Sequence, residues 1–293
     1  MRHPCLHFAL CASLVAVVSP AAAGGFNVTT RGEVRDCSDI EVTARGRELA
    51  TSADTIRVPA PAAGRRLSVE TSRQGGVYVV GGGAGGYEVR VCKIAVADDA
   101  RTAAARLAEI QAETRDGRLA VRGPAGEDWL AYFLITAPTG AAMEVSVLNG
   151  PLAVEGVDGD FRLRATNGPI SLRETAGTFD VVVRNGPVSV ADGGGRMTID
   201  VQNGPISVEL SGAEWRGEGL QAKSVNGPLS LSIDRSFQSA VLVESSGNGP
   251  WSCSNCGEGS RSWDDGGRRF EYGAGPPRVR LSTTNGPVAV EVH

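Results

Sequence analysis

Apolar residues alternate with polar ones on both sides of a recurring Asn-Gly-Pro triplet. With the Asn as position zero, positions -6, -4 and -2 read Phe161, Leu163 and Ala165, then Phe179, Val181 and Val183, then Met197, Ile199 and Val201. Positions +3 and +5 read Ile170 and Leu172, Val188 and Val190, Ile206 and Val208, Leu229 and Leu231, Val288 and Val290. The intervening positions carry mostly Arg, Asp, Ser, Thr and Glu. A period of two predicts half-buried strands flanking each triplet, because side chains alternate across a strand. A helix would need apolar residues three and four apart, and these segments lack that spacing.

The triplet starts at Asn149, Asn167, Asn185, Asn203, Asn226, Asn248 and Asn285, so the intervals are 18, 18, 18, 23, 22 and 37 residues. The 37-residue interval predicts two turns of the repeat, one of them degenerate. A fixed period near 20 residues indicates stacked units. Asn and Gly tolerate positive φ, and Pro fixes its own φ and donates no ladder hydrogen bond, so the triplet reads as a corner between two strands. Alternation puts the Asn in phase with the inward set, which predicts an internal ladder of stacked amides. Gly159, Gly177 and Gly195 each precede an Asn by eight residues and mark a second corner. One unit inserts about five apolar side chains, too few to offset ordering its own backbone, so the units must stack. The predicted fold class is all-β: a single-chain β-solenoid of about 18–22-residue coils, with one short helix in an N-terminal capping region.

The run YFLITAPTGAAMEVSVLNGPLAVEGVDGDFRLRATNGPISL resembles the putative-adhesin β-strand-repeat family of bacterial envelope proteins. Pro138 and Gly140 match its first turn, and the Asn-Gly pairs match its coils. The likeness covers about residues 97 to 293. It implies a β-solenoid exported to the cell envelope, and it carries over no binding residue. Departures are the Pro in nearly every coil and the Cys-x-x-Cys insertion.

The rest of the chain divides around this repeat. Residues 1–23 read as a signal peptide, with a short positive start, a short apolar run, and small residues at Ala21 and Ala23 before the cleavage point. Residues 24–96 form an N-terminal β region of degenerate coils, and SVETSRQGGVYVVGG reads as a worn coil. Residues 97–140 hold a short helix in DDARTAAARLAEI and a hairpin around Asp116-Gly117. Residues 141–293 are the Asn-Gly-Pro solenoid, and its terminal VAVEVH shows no cap after it, which leaves three readings: an open last coil free for self-association, simple fraying, or cover by a loop.

Composition bounds the chemistry. Net charge is -4 with 21% charged residues, which argues against a nucleic-acid partner. Neither the leader nor any later stretch is long and apolar enough to span a bilayer. Beyond the leader, His293 is the last histidine left, which excludes a His-based triad and the catalytic-zinc patterns. GGGAGG at 81–86 lacks a phosphate loop's Lys-Ser/Thr and reads as a turn, and nothing implies calcium or another cofactor. Four cysteines beyond the leader allow three pairings, of which Cys37–Cys92 with Cys253–Cys256 is preferred. A structural disulfide is the leading reading of Cys253-Ser-Asn-Cys256, ahead of a redox pair or a four-cysteine zinc site.

Extra residues follow Leu210, Ile233 and Cys253, the same strand end in successive coils. They carry Trp215, Phe237, Trp263 and Tyr272 with Glu214, Glu218, Asp264 and Asp265. Two readings are open: an aromatic and acidic surface that binds an envelope glycan or peptide, or aromatic cover for the side of the core. The functional expectation is a non-enzymatic envelope scaffold or binding protein with an unidentified glycan or protein partner. The rival is a polysaccharide-active β-helix enzyme using Asp264, Asp265 and Glu214. A periplasmic partner in envelope-stress sensing is a third reading, implied by the family's setting alone.

Overall fold

The computed structural model describes residues 26–30, 33–71, 74–247, 249–257, 259–264 and 267–293, without the side chains of Arg261, Trp263 and Asp264. The leader, Asn248 and Asp265 lie outside the described residues. The chain is all-β with one α-helix among the described residues.

In chain order, β1 (Phe26–Thr30) pairs with β2 (Ile40–Ala44), and β3 (Glu48–Pro59), β4 (Leu67–Glu70), β5 (Val77–Gly83) and β6 (Gly86–Ala97) follow. Helix α1 (Ala100–Glu109) leads to the hairpin β7 (Gln111–Arg115) and β8 (Arg118–Arg122), then to β9 (Trp129–Pro138). The repeat comprises β10 (Ala141–Asn149) and β11 (Leu152–Glu155), β12 (Asp158–Asn167) and β13 (Ile170–Arg173), and β14 (Ala176–Asn185) and β15 (Val188–Ala191). It continues with β16 (Arg196–Asn203) and β17 (Ile206–Leu210), then β18 (Gly219–Asn226) and β19 (Leu229–Ile233). The C-terminal part holds β20 (Ser239–Ser245), β21 (Trp251–Ser254), the hairpin β22 (Ser260–Asp264) and β23 (Gly267–Tyr272), then β24 (Ala274–Asn285) and β25 (Val288–Val292).

Consecutive strands of the repeat alternate between two long, mostly parallel sheets. One runs β22-β23-β20-β24-β18-β16-β14-β12-β10-β4-β8-β7, and the other β21-β25-β19-β17-β15-β13-β11-β5-β9-β6-β3. The register advances by one repeat per strand, so Phe161 pairs with Phe179 and Ile170 with Val188. The inward residues of both sheets form one continuous core. Every apolar position named from the alternation is buried there, and the Phe161 and Phe179 rings stack at 5.0 Å.

The triplet is the corner between the sheets. Its backbone pairs with the equivalent corner one layer away. The Gly150, Gly168, Gly186 and Gly204 amides donate to the Asn167, Asn185, Asn203 and Asn226 carbonyls at 2.8–3.0 Å. The Pro carbonyl accepts the amide of the first residue of a neighbouring strand, as in Ile170 to Pro187 at 2.9 Å. Gly is required by closeness. A Cβ on Gly168 would lie 2.0 Å from the Gly150 carbonyl oxygen, and φ there is +148°. In two layers a buried hydroxyl reaches a corner carbonyl, Ser224 to Gly204 and Thr283 to Gly227, each at 2.9 Å.

The Asn ladder exists and lies on the outside. Each Nδ2 donates to the Oδ1 of the preceding layer from Asn167–Asn149 through Asn285–Asn226, at 2.8–3.0 Å. The expected inward phase fails because strand pairing omits position -1: Val147 pairs Ala165, then Asn149 pairs Asn167. The chain bends there, so both position -1 and the Asn face solvent; Leu148 is 43% and Val225 37% exposed.

Both ends differ from a simple stack. The stretch read as a worn coil joins the repeat: β4 and β5 pair with β10 and β11, and the Gly75 amide donates to the Asn149 carbonyl. The chain then places β8 and β9 on their far side. At the C-terminus β24 and β25 insert between β18/β19 and β20/β21. The expected open last coil is therefore corrected. β25 is paired on both edges, and Asn285 stacks on Asn226. The 37-residue interval holds a β22–β23 hairpin and a return strand, instead of a degenerate coil.

The segment β1–β2 covers the outer face of β6 and β9 through Phe26, Ile40, Leu130 and Tyr132. The Cys37–Cys92 disulfide pins it, and Cys253–Cys256 closes the turn after β21. Burial pushes the Tyr78 phenol up to about 12 and raises that of Tyr132. Helix α1 is capped by Asp99, whose side chain accepts the Thr102 amide. Arg106 and Arg47 both donate to Asp128, and the Arg47 hydrogen bond holds that carboxyl below its ordinary value.

Two outcomes follow from these contacts. Gly168→Ala forces apart two backbones and should cost about 3 kcal/mol or more in urea unfolding, against about 1 kcal/mol for Asn167→Ala; Gly257→Ala, with open space around it, is the control. Asp128 has a lowered folded pKa, so its contribution is present above the unfolded value near 3.8 and is lost as pH falls through the folded value. Asp128→Asn should flatten the fall of stability on acidification in that window, read from unfolding midpoints against pH.

Candidate functional site

The outward face of the longer, 12-stranded sheet is a regular surface. Its side chains occupy the odd positions before each Asn, and the parallel register sets them in rows about 4.8 Å apart. One row reads Glu144, Arg162, Asp180, Thr198, Gln221 and Arg280 across β10, β12, β14, β16, β18 and β24. The next reads Ser146, Arg164, Val182, Asp200, Lys223 and Ser282 across the same strands.

A shallow depression of about 420 Å³ crosses β12 to β18, lined by Arg164, Val182, Arg184, Asp200, Lys223 and Val225. A second of the same size adjoins it through Lys223 and runs to Glu244, Arg268 and Arg269 on β20 and β23. Arg269 pairs there with Glu271 and Glu244. Arg162, Arg164, Arg184, Lys223 and Arg280 are exposed and make no ion pair among the described residues. The outward face of the other sheet carries a hydroxyl row, Ser171, Ser189, Ser207 and Ser230, with Ser189 donating to Ser171 at 3.2 Å. A smaller cleft of about 120 Å³ lies beneath the N-terminal segment, between Val34, Tyr78 and Leu134.

Of the four aromatic residues nominated from the loops, the three whose side chains are described cover the core instead of forming a surface. Trp215, Phe237 and Tyr272 are 5%, 3% and 4% exposed and belong to the main core. The Trp215 indole donates to the Gly195 carbonyl at 3.0 Å, so the loop after Leu210 folds back over the stack. Burying a large ring with its N–H satisfied outweighs displaying it. The Trp263 side chain lies outside the described residues. Glu214 is exposed on its loop, and Glu218 pairs with Arg196. The Asp264 side chain and Asp265 lie outside the described residues.

Cys253 sits in register with Val290, at the edge strand of its sheet, and a turn rather than a helix follows it. The helix N-terminus that lowers a thiol pKa in redox pairs is not what this pair adjoins. The described His/Cys/Asp/Glu side chains contain no group of three placed to hold a metal ion. No helix among the described residues is long and apolar enough to cross a membrane.

The basic side chains on the longer sheet are the residues sequence reading missed. Alternation marked them only as solvent-facing. Aligning the coils by their Asn would have set Arg164, Asp200 and Lys223 in one row.

No protein-family model matches this chain, and no curated protein matches it. Among solved structures, a putative cell adhesion protein from Clostridium sporogenes is similar with a TM-score of 0.33 and 11% identity, over 83% of this chain and 100% of that one. A putative adhesin from Bacteroides fragilis gives 0.32 and 11%, over 83% and 97%. A putative lipid binding protein from Parabacteroides distasonis gives 0.31 and 9%, over 83% and 96%. Likeness at that level carries no argument about what this chain binds.

Proposed function

We propose that this protein is an exported, non-enzymatic β-solenoid of the bacterial envelope that acts as a rigid scaffold and presents a flat surface to an envelope glycan or protein. The observation that carries the reading is the stack itself. Repeated corners hold two long sheets in fixed register around a filled apolar core, and each sheet offers a regular outward face. Such a surface suits a broad, extended partner better than a small molecule, which needs a concave site to bury it. Two disulfides fit an oxidising compartment, in keeping with the leader-like start of the sequence.

The test is co-sedimentation of the purified protein with isolated envelope fractions and a panel of polysaccharides, with newly released sugar ends measured in the same tubes. Retention without release is expected. Catalytic release of sugar ends would replace the binding reading with the enzyme reading. Retention by no fraction would overturn the binding role.

A further inference from the structure

We propose that the outward face of the longer sheet, centred on Arg164, Arg184 and Lys223, binds an acidic polysaccharide; this rests on the binding-surface reading above and assigns its face and ligand class.

Charge comes first. The chain carries a net charge of -4, yet five cations on this face, Arg162, Arg164, Arg184, Lys223 and Arg280, are exposed and outside every ion pair among the described residues. Several other arginines near this sheet are committed: Arg66 to Asp160, Arg118 to Glu70, Arg196 to Glu218 and Arg269 to Glu244 and Glu271, while Arg278 donates to the Gly217 carbonyl. Asp160 and Glu244 on this face are held in ion pairs, and the carboxylates left among the five cations are Glu144, Asp180 and Asp200, which leaves the face basic.

Geometry narrows the ligand. The cations stand on hydrogen-bonded strands about 4.8 Å apart, so binding orders little backbone that is not already ordered. The depression crosses the strands from β12 to β18 and continues to β20 through Lys223. It is wide and shallow, which fits a chain laid across the coils.

Chemistry selects the polymer. Guanidinium groups bind carboxylate or sulfate bidentately. Asp180 and Asp200 are acceptors and need a ligand that donates, which sugar hydroxyls do. Val182 and Val225 give small apolar platforms suited to the C–H face of a sugar ring. Duplex DNA brings phosphates to the same cations but offers the two Asp carboxylates no sugar hydroxyl to accept from. An anionic bilayer finds little apolar surface to enter.

The probes are polygalacturonate and its fully methyl-esterified form, which keeps the sugar chain and loses the charge. Affinity electrophoresis should show the purified protein retarded by polygalacturonate, weakly by the ester, and less as salt rises. Arg164→Gln/Arg184→Gln should weaken binding about tenfold or more, with an unchanged melting temperature, while Arg118→Gln at the far end of the sheet leaves it intact. Asp200→Asn separates hydroxyl recognition from bare charge: it should weaken binding to the polymer, whereas a purely electrostatic surface would bind a polyanion more tightly. The proposal is overturned by equal binding of the ester, by indifference to the double arginine variant, by tighter binding in Asp200→Asn, or by anionic vesicles or duplex DNA binding as well as the polymer. Retention by envelope fractions that the double variant leaves unchanged would remove this face and keep the binding role. Polygalacturonate binding without retention by any envelope fraction would do the reverse.

Discussion

The structure depends on the approach of one glycine backbone to the next at the Asn-Gly-Pro corner. A Cβ at Gly168 would stand 2.0 Å from a carbonyl oxygen, and the corners at Gly186 and Gly204 are as close, at 2.1 and 2.0 Å. That closeness sets the layer spacing at a point where both sheets meet. It lets the glycine amide and the Asn and Pro carbonyls all find partners in neighbouring layers. Pro has no N–H, and the corner asks for none at that position. Backbone polar groups that would be stranded at a bend are thereby satisfied, which is the condition for a bend beside an apolar core. The Asn side chains add a second ladder on the solvent side, weaker because water competes for it.

The ends of the stack follow a different logic from its middle. At each end a layer is enclosed by segments distant in sequence: β4/β5 between β8/β9 and β10/β11, and β24/β25 between β18/β19 and β20/β21. An enclosed terminal layer exposes no free ladder of its own, which removes the hazard of an unpaired repeat at the chain end. Long-range closure of this kind slows folding, because the intervening loop must be ordered before the pairing rewards it. The outermost strands are then β7, β22 and β21, each of four or five residues, and the longer β3.

Much of this was legible in the sequence. Period-two alternation located the buried positions, since Phe161, Val181 and Ile206 depend only on strand geometry and one apolar side. The corner and the short helix were readable from local chemistry, and the disulfides formed are the pairing preferred among three that the sequence left open. The Asn phase was misread because alternation assumes a straight strand, and the chain bends one residue earlier. The open C-terminal coil was misread because sequence order was taken for spatial order; nothing local to VAVEVH reveals that it inserts between earlier layers. The role of the loop aromatics stayed open between display and cover, because an insertion says where a loop leaves a strand and not whether it folds back, as the loop of Trp215 does. The basic face was overlooked because its residues stand 18 or more apart in sequence, and only the pairing register brings Arg164, Asp200 and Lys223 together.

Amide hydrogen exchange at the corner glycines tests the central claim most directly. If the corners are paired layer to layer, the Gly168, Gly186 and Gly204 amides should exchange as slowly as the mid-strand amides of Leu163 and Val181, in spite of lying at solvent-facing bends. Exchange at these glycines as fast as at the loop residues Gly212 and Glu214, with the strands still protected, would contradict it and leave the strands, not the corners, to set the stack.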